Sequence, residues 1–133
     1  MSENGLVTLP SAHDVATTLQ RLLAALAVKG ITVFAQIDHA AGAASVGMTL
    51  RPTTVVIFGN PVAGTPLMQA TQTTGIDLPL KILIWQDSLG AAQVSYNDPA
   101  WIVARHGIAA GTVPAVAALA GVLDALARQA ADA

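Results

Sequence analysis

The segment Phe58-Gly59-Asn60-Pro61 lies between an apolar, β-branched run (Thr53 to Ile57) and a helix-start signal, Gly64-Thr65-Pro66. This junction constrains the fold more than any other stretch of the chain. Gly permits φ > 0, Asn tolerates it, and Pro fixes φ and withdraws an N–H. The chain is expected to leave a strand through a tight, specified turn and to enter a helix capped by Thr65, with Pro66 at its first position. Loops at strand ends are where ligands commonly bind. Gly59, Asn60 and Pro61 are therefore candidate ligand-binding residues.

The flanking segments predict the remaining elements. Gly5 to Leu9 reads as a short strand closed by Pro10. Ser11 is placed as the N-cap of a helix whose stripe is Val15, Leu19, Leu22 and Leu26, and which stops at Lys29-Gly30. Ile31, Val33, Ala35 and Ile37 alternate with Thr32, Phe34, Gln36 and Asp38, the pattern of a half-buried strand. Residues 39–50 read as a connection with a short helix or turn. The helix after Pro66 is expected to end near Gly75. Leu80 to Gln86 and Ala91 to Tyr96 form a hairpin about Asp87-Ser88-Leu89-Gly90. Asp98-Pro99 opens a short helix reaching His106, and Thr112-Val113-Pro114 opens the last one, with stripe Val116, Leu119, Leu123 and Leu126 and an Asp124–Arg128 pair on its wet face. The order predicts an α+β fold: one domain over residues 1–133, with a mainly antiparallel sheet and helices on one face.

Charge is scarce. Charged residues make up 11% of the 133 and hydrophobic residues 53%, against a usual charged share of about 25%. A monomer of this composition would expose a sizeable apolar patch, so a homodimer is expected. Six Lys and Arg residues are too few for a face that tracks nucleic-acid phosphates. The absence of cysteine excludes disulfides and thiol chemistry. Neither long uncharged stretch, Pro52 to Ile76 nor Ile108 to Leu123, reads as a membrane span, and the start carries no leader pattern, so a cytoplasmic protein is expected.

The candidate chemistry is sparse. Gly59 and Gly64 have the spacing of a phosphate-binding loop. Thr65 stands where that loop needs Lys, and Pro66 where it needs a hydroxyl. A triphosphate site is therefore not expected, and a weaker anion site at the next helix N-terminus stays open. Asp38-His39 ends a strand, and His39 is the candidate general base of an enzymatic reading, assisted by Asp38 or Tyr96. His13 reads as solvated, and His106, after Arg105, as a cation at a helix end. The three histidines lack metal-ligand spacing, and no residue pattern calls for a metal or other cofactor. Lys81 shares a strand face with Leu83 and Trp85, and Tyr96 lies on the hairpin partner. Lys81 and Tyr96 therefore join Asn60 as candidate walls for a small polar or anionic ligand. A third reading makes the Trp-bearing hairpin a protein-interaction surface.

Five blocks occur in order: Ile37-Asp38-His39; Leu50-Arg51-Pro52-Thr53; Phe58-Gly59-Asn60-Pro61 with Gly64-Thr65-Pro66-Leu67-Met68; Asp77-Leu78-Pro79-Leu80-Lys81; and Ser95-Tyr96-Asn97-Asp98-Pro99. Together they resemble the domain-of-unknown-function 302 family, over roughly residues 5–108, with the C-terminal helix at about 112–130. The resemblance implies a TATA-binding-protein-like β-α-β(4)-α domain, found in bacteria and archaea and often dimeric. It carries no established activity. The family's recurrent positions map to Asp38, His39, Phe58, Gly59, Asn60, Pro61, Leu78, Pro79, Tyr96 and Pro99. Gln86 departs from it, since relatives tend to be acidic there.

Overall fold

The computed structural model describes residues 3–133. Five strands, β1 (Leu6–Pro10), β2 (Thr32–Asp38), β3 (Thr53–Gly59), β4 (Leu80–Gln86) and β5 (Ala92–Asn97), form one sheet in the order β1-β5-β4-β3-β2. Every neighbouring pair is antiparallel. The helices are α1 (Val15–Val28), α2 (His39–Ser45), α3 (Pro61–Ala70), α4 (Pro99–Arg105) and α5 (Pro114–Ala131). Without α2, α3 and α4, which sit in connections, the order is the expected β-α-β(4)-α.

Strand alternation decides which side the helices cover. Val56 and Phe58 of β3, Ile82 and Ile84 of β4, and Val94 and Tyr96 of β5 share one face through their register, and all are buried. They join Leu22 and Leu26 of α1 and Val116, Leu119, Leu123 and Leu126 of α5 in a single core. Asp124 and Arg128 pair at 3.0 Å on the outer side of α5, as expected. The opposite face of the sheet carries Val55, Ile57, Leu83 and Trp85, all partly exposed, with Ile37 at 44% exposure.

Local signals differ from the expectations in three places. Asp14, not Ser11, caps α1 and accepts from the Thr17 N–H at 2.8 Å. The Ser11 hydroxyl instead lies 2.6 Å from the buried Thr18 hydroxyl. In β2 the register shifts between Val33 and Ala35. Val33 opposes the inward Phe58, but Ala35 and Ile37 oppose the outward Ile57 and Val55. The four apolar residues read as one face are thus divided between two, because a bulge inserts one residue into a period of two.

The third difference is at the Gly-Asn-Pro junction. α3 starts at Pro61, four residues before the expected cap, and Asn60 is the cap. Its side-chain oxygen accepts from the Val62 N–H at 2.9 Å. Thr65 is an exposed residue inside the helix, with Pro66 after it. Asn followed by Pro satisfies the N-cap and first-position preferences together, and this pair outcompetes Thr65-Pro66 downstream. Neither Gly59 nor Asn60 has positive φ. α3 also ends sooner, at Ala70, and residues Gln72–Ile76 form a separate 3-10 turn.

Candidate functional site

Gly59, Asn60 and Pro61 do line a cavity, of about 330 Å³. Its remaining wall comes from Phe34 of β2, Ala63, Gly64, Thr65 and Met68 of α3, Gly75, Leu78, Pro79, Leu80 and Leu119 of α5. Gly59 lets Phe34 and Pro79 approach closely. A Cβ there would sit 3.3 Å from the Phe34 ring and 3.7 Å from Pro79. Phe34 is the bulge residue of β2, 52% exposed, so the bulge delivers an aromatic ring to the cavity's edge.

The polar capacity of this cavity is small and specific. Pro61 has no N–H, the Val62 N–H is held by the Asn60 side chain, and the Ala63 and Gly64 N–H groups go to the Asn60 carbonyl at 3.0 and 3.2 Å. The first turn of α3 therefore presents few free donors to an anion. With its oxygen engaged by Val62, the Asn60 amide retains its NH2 group for a partner. The Thr65 hydroxyl supplies a further donor and acceptor on the cavity wall.

The other candidate residues lie elsewhere. Asp38 pairs with Thr54 near the far end of β3, five residues from Gly59, or about 17 Å along an extended strand. Its carboxylate caps α2 by accepting from the Ala41 N–H at 2.9 Å, and His39 is exposed in the first turn of that helix. Tyr96 is buried on the helix-covered face, where burial first, then the Asp124 and Asp98 charges, pushes its phenol above the usual value. Lys81 is on the opposite sheet face. Its ammonium donates to the Asp77 and Pro79 carbonyls at 3.1 and 2.9 Å. Burial lowers its pKa, against an opposing pull from the Asp77 charge. Asp38, His39, Lys81 and Tyr96 do not line the cavity with Asn60.

A second cluster joins residues that the sequence does not place together. The Thr73 hydroxyl lies 2.9 Å from His106 Nδ1, and His106 Nε2 lies 2.6 Å from Asp77 Oδ2. Arg105 Nη1 donates to both Asp77 oxygens, at 2.9 and 3.1 Å. The His106 side chain is only 8% exposed, whereas Thr73 is exposed. No spacing rule links residues 28 and 33 positions apart, and only the packing of the 72–76 turn against the end of α4 brings them into contact.

One antiparallel sheet with α1 and α5 packed on the same face, and a cavity at the end of an inner strand, define a small α+β domain. The family model "Domain of unknown function DUF302" matches residues 7–126, and the chain belongs to that family. The solved structure of an uncharacterised conserved DUF302 protein from Bacillus stearothermophilus superposes with a TM-score of 0.83. It is 18% identical and covers 95% of this chain and 98% of that one. Among curated proteins, the chain is 44% identical over 117 residues to "Fluoride-specific ion channel FluC 1" of Brucella suis biovar 1 (strain 1330). The match covers 88% of this chain and 46% of that protein. The protein of the same name from Brucella abortus biovar 1 (strain 9-941) is equally identical, with 43% of its length covered. The chain thus spans less than half of the curated relatives it matches. Among its described residues, no helix is long and apolar enough to cross a membrane.

Proposed function

We propose that this chain is a homodimeric, cytoplasmic small-ligand-sensing module that acts alongside a fluoride-specific ion channel. The observation that carries the sensing role is the cavity at Gly59, Asn60 and Pro61. Its volume falls at the lower end of the range for ligand pockets, about 300–1,000 Å³. Phe34, Met68, Leu78 and Leu119 favour an apolar ligand body, and the Asn60 amide favours a hydrogen-bond acceptor at one end. This narrows the expected ligand from a polar or anionic molecule to a mainly apolar one with a neutral, carbonyl-like acceptor.

The link to a channel rests on the relatives. A channel needs membrane-crossing segments, and this domain's described residues supply no such helix. On this proposal the matched part is a folded appendage to a channel formed by the remaining length of those relatives. The dimer reading rests on the scarcity of charge and on the apolar sheet face of Ile37, Val55, Ile57, Leu83 and Trp85.

Native mass spectrometry of protein from its own host tests the sensing and dimer readings together. A dimer carrying a discrete added mass, absent from a Gly64→Leu variant whose side chain enters the cavity, supports both. Bare protein that binds nothing from a small-molecule extract of the host rejects sensing, and a monomer rejects the dimer. Deleting the gene tests the channel link: unchanged fluoride tolerance in the host counts against it.

A further inference from the structure

Thr73, His106 and Asp77 form a hydroxyl–imidazole–carboxylate relay outside the cavity. An ionised carboxylate only accepts hydrogen bonds, so Asp77 Oδ2, 2.6 Å away, places the ring proton of His106 on Nε2. In the neutral ring Nδ1 is then the bare nitrogen, placed at 2.9 Å to accept from the Thr73 O–H. Asp77 and the turn beside Thr73 are held by further bonds. Arg105 grips both Asp77 oxygens, Lys81 donates to the Asp77 carbonyl, and the neighbouring Thr74 is fully buried with its hydroxyl bonded to the Thr71 carbonyl. His106 is shielded while Thr73 faces outward. A nucleophile within hydrogen-bond reach of a base that is itself oriented by a third group is the arrangement that activates a hydroxyl.

We infer that Thr73 is an acyl-accepting nucleophile, with His106 as its general base and Asp77 as the positioning residue. The substrate class is a small activated ester able to approach an exposed side chain. Thr73 Oγ1 attacks the acyl carbon, and its proton passes to His106 Nδ1. The bond from acyl carbon to leaving oxygen breaks, and the leaving oxygen takes that proton. Water then attacks the acyl-threonine by the same route, giving its proton to Nδ1, and Nδ1 returns a proton to Thr73. No oxidant, reductant or further reactant enters. This site is independent of the proposed sensing cavity.

The probe is p-nitrophenyl acetate, with p-nitrophenolate release followed by absorbance and the acetylated peptide located by mass spectrometry. The expected result is release that depends on Thr73, with any trapped acetyl group on Thr73. Thr73→Val abolishes this release and Thr73→Ser retains it. His106→Gln lowers the rate by about 10²-fold or more, the usual contribution of a positioned base. Circular dichroism confirms that each variant is folded, and Thr73 is exposed, so its substitution leaves the core intact. Release by Thr73→Val at the wild-type rate, no release above the buffer rate, or acetyl groups confined to lysines and the amino terminus each overturn the inference.

Discussion

Replacing Asn60 by Ala separates the structural role of the Gly-Asn-Pro junction from its role in binding. Pro61 brings no N–H to the first turn, so the Val62 N–H is the first donor of α3, and the Asn60 side chain satisfies it at 2.9 Å. The bonds from Ala63 and Gly64 go to the Asn60 main-chain carbonyl and survive the substitution. One cap bond at an exposed position is lost, worth about 1 kcal/mol and within roughly 0.5–2 kcal/mol. For a domain of this size that lowers Tm by about 3–5 °C. Asn60→Asp keeps the accepting oxygen and adds a negative charge at the helix N-terminus, so it should match or exceed the parent protein. It nonetheless removes the amide NH2, and binding of an acceptor-ended ligand should fall in both variants. Urea unfolding measured beside ligand binding gives both quantities. A loss above about 3 kcal/mol in Asn60→Ala, or an Asn60→Asp protein as unstable as Asn60→Ala, would refute the cap as the source of the effect.

Three further outcomes follow from the geometry. Gly64→Ala places its Cβ 3.6 Å from Leu78, an ordinary contact. In urea unfolding it should stabilise α3 by roughly 0.5–1 kcal/mol, while narrowing the cavity and weakening ligand binding. Gly5 has φ +74°, and a Cβ there would sit 2.3 Å from the Trp101 ring. Gly5→Ala should therefore cost roughly 2–5 kcal/mol in the same assay, with changed Trp fluorescence. Asp14 is held below the usual carboxylate range by the Thr17 N–H, and Asp87 by Gln93 and then the Ala91 N–H. A lowered folded-state pKa gives stability that is present above the unfolded value and lost as pH falls through the folded one. Thermal unfolding should thus show a decline below about pH 4, which the Asp14→Asn/Asp87→Asn double variant makes shallower.

Element order was legible because it rests on periodicity. The stripe Val116, Leu119, Leu123 and Leu126 is buried as spaced, and the hairpin about Asp87 forms where its turn residues stand. Two kinds of feature were not legible. One is competition between local signals: Asn60-Pro61 and Thr65-Pro66 both resemble helix starts, and the upstream pair, which joins a side-chain cap to a first-position Pro, wins. The other is non-local contact. Gly59, Asn60 and Pro61 were locatable as a cavity wall because one turn carries all three. The opposite wall, Phe34 and Leu119, comes from segments with no mutual spacing. His106 looked like a helix-end cation, and its contacts with Thr73 and Asp77 exist only after folding.

The bulge at Phe34 also bears on how copies of this protein can meet. β2 and β1 are the sheet's two outer strands, each paired with a neighbouring strand on one side. An uninterrupted rim is a template on which a neighbour can extend the sheet without limit, the route towards fibres. Here one rim is broken by the shift between Val33 and Ala35, and the other ends in Pro10, which lacks a donor. The same irregularity turns Ile37 onto the outer face beside Val55. Apolar side chains are thereby placed on a flat face of the sheet, while the broken rim offers a neighbouring strand a poor template.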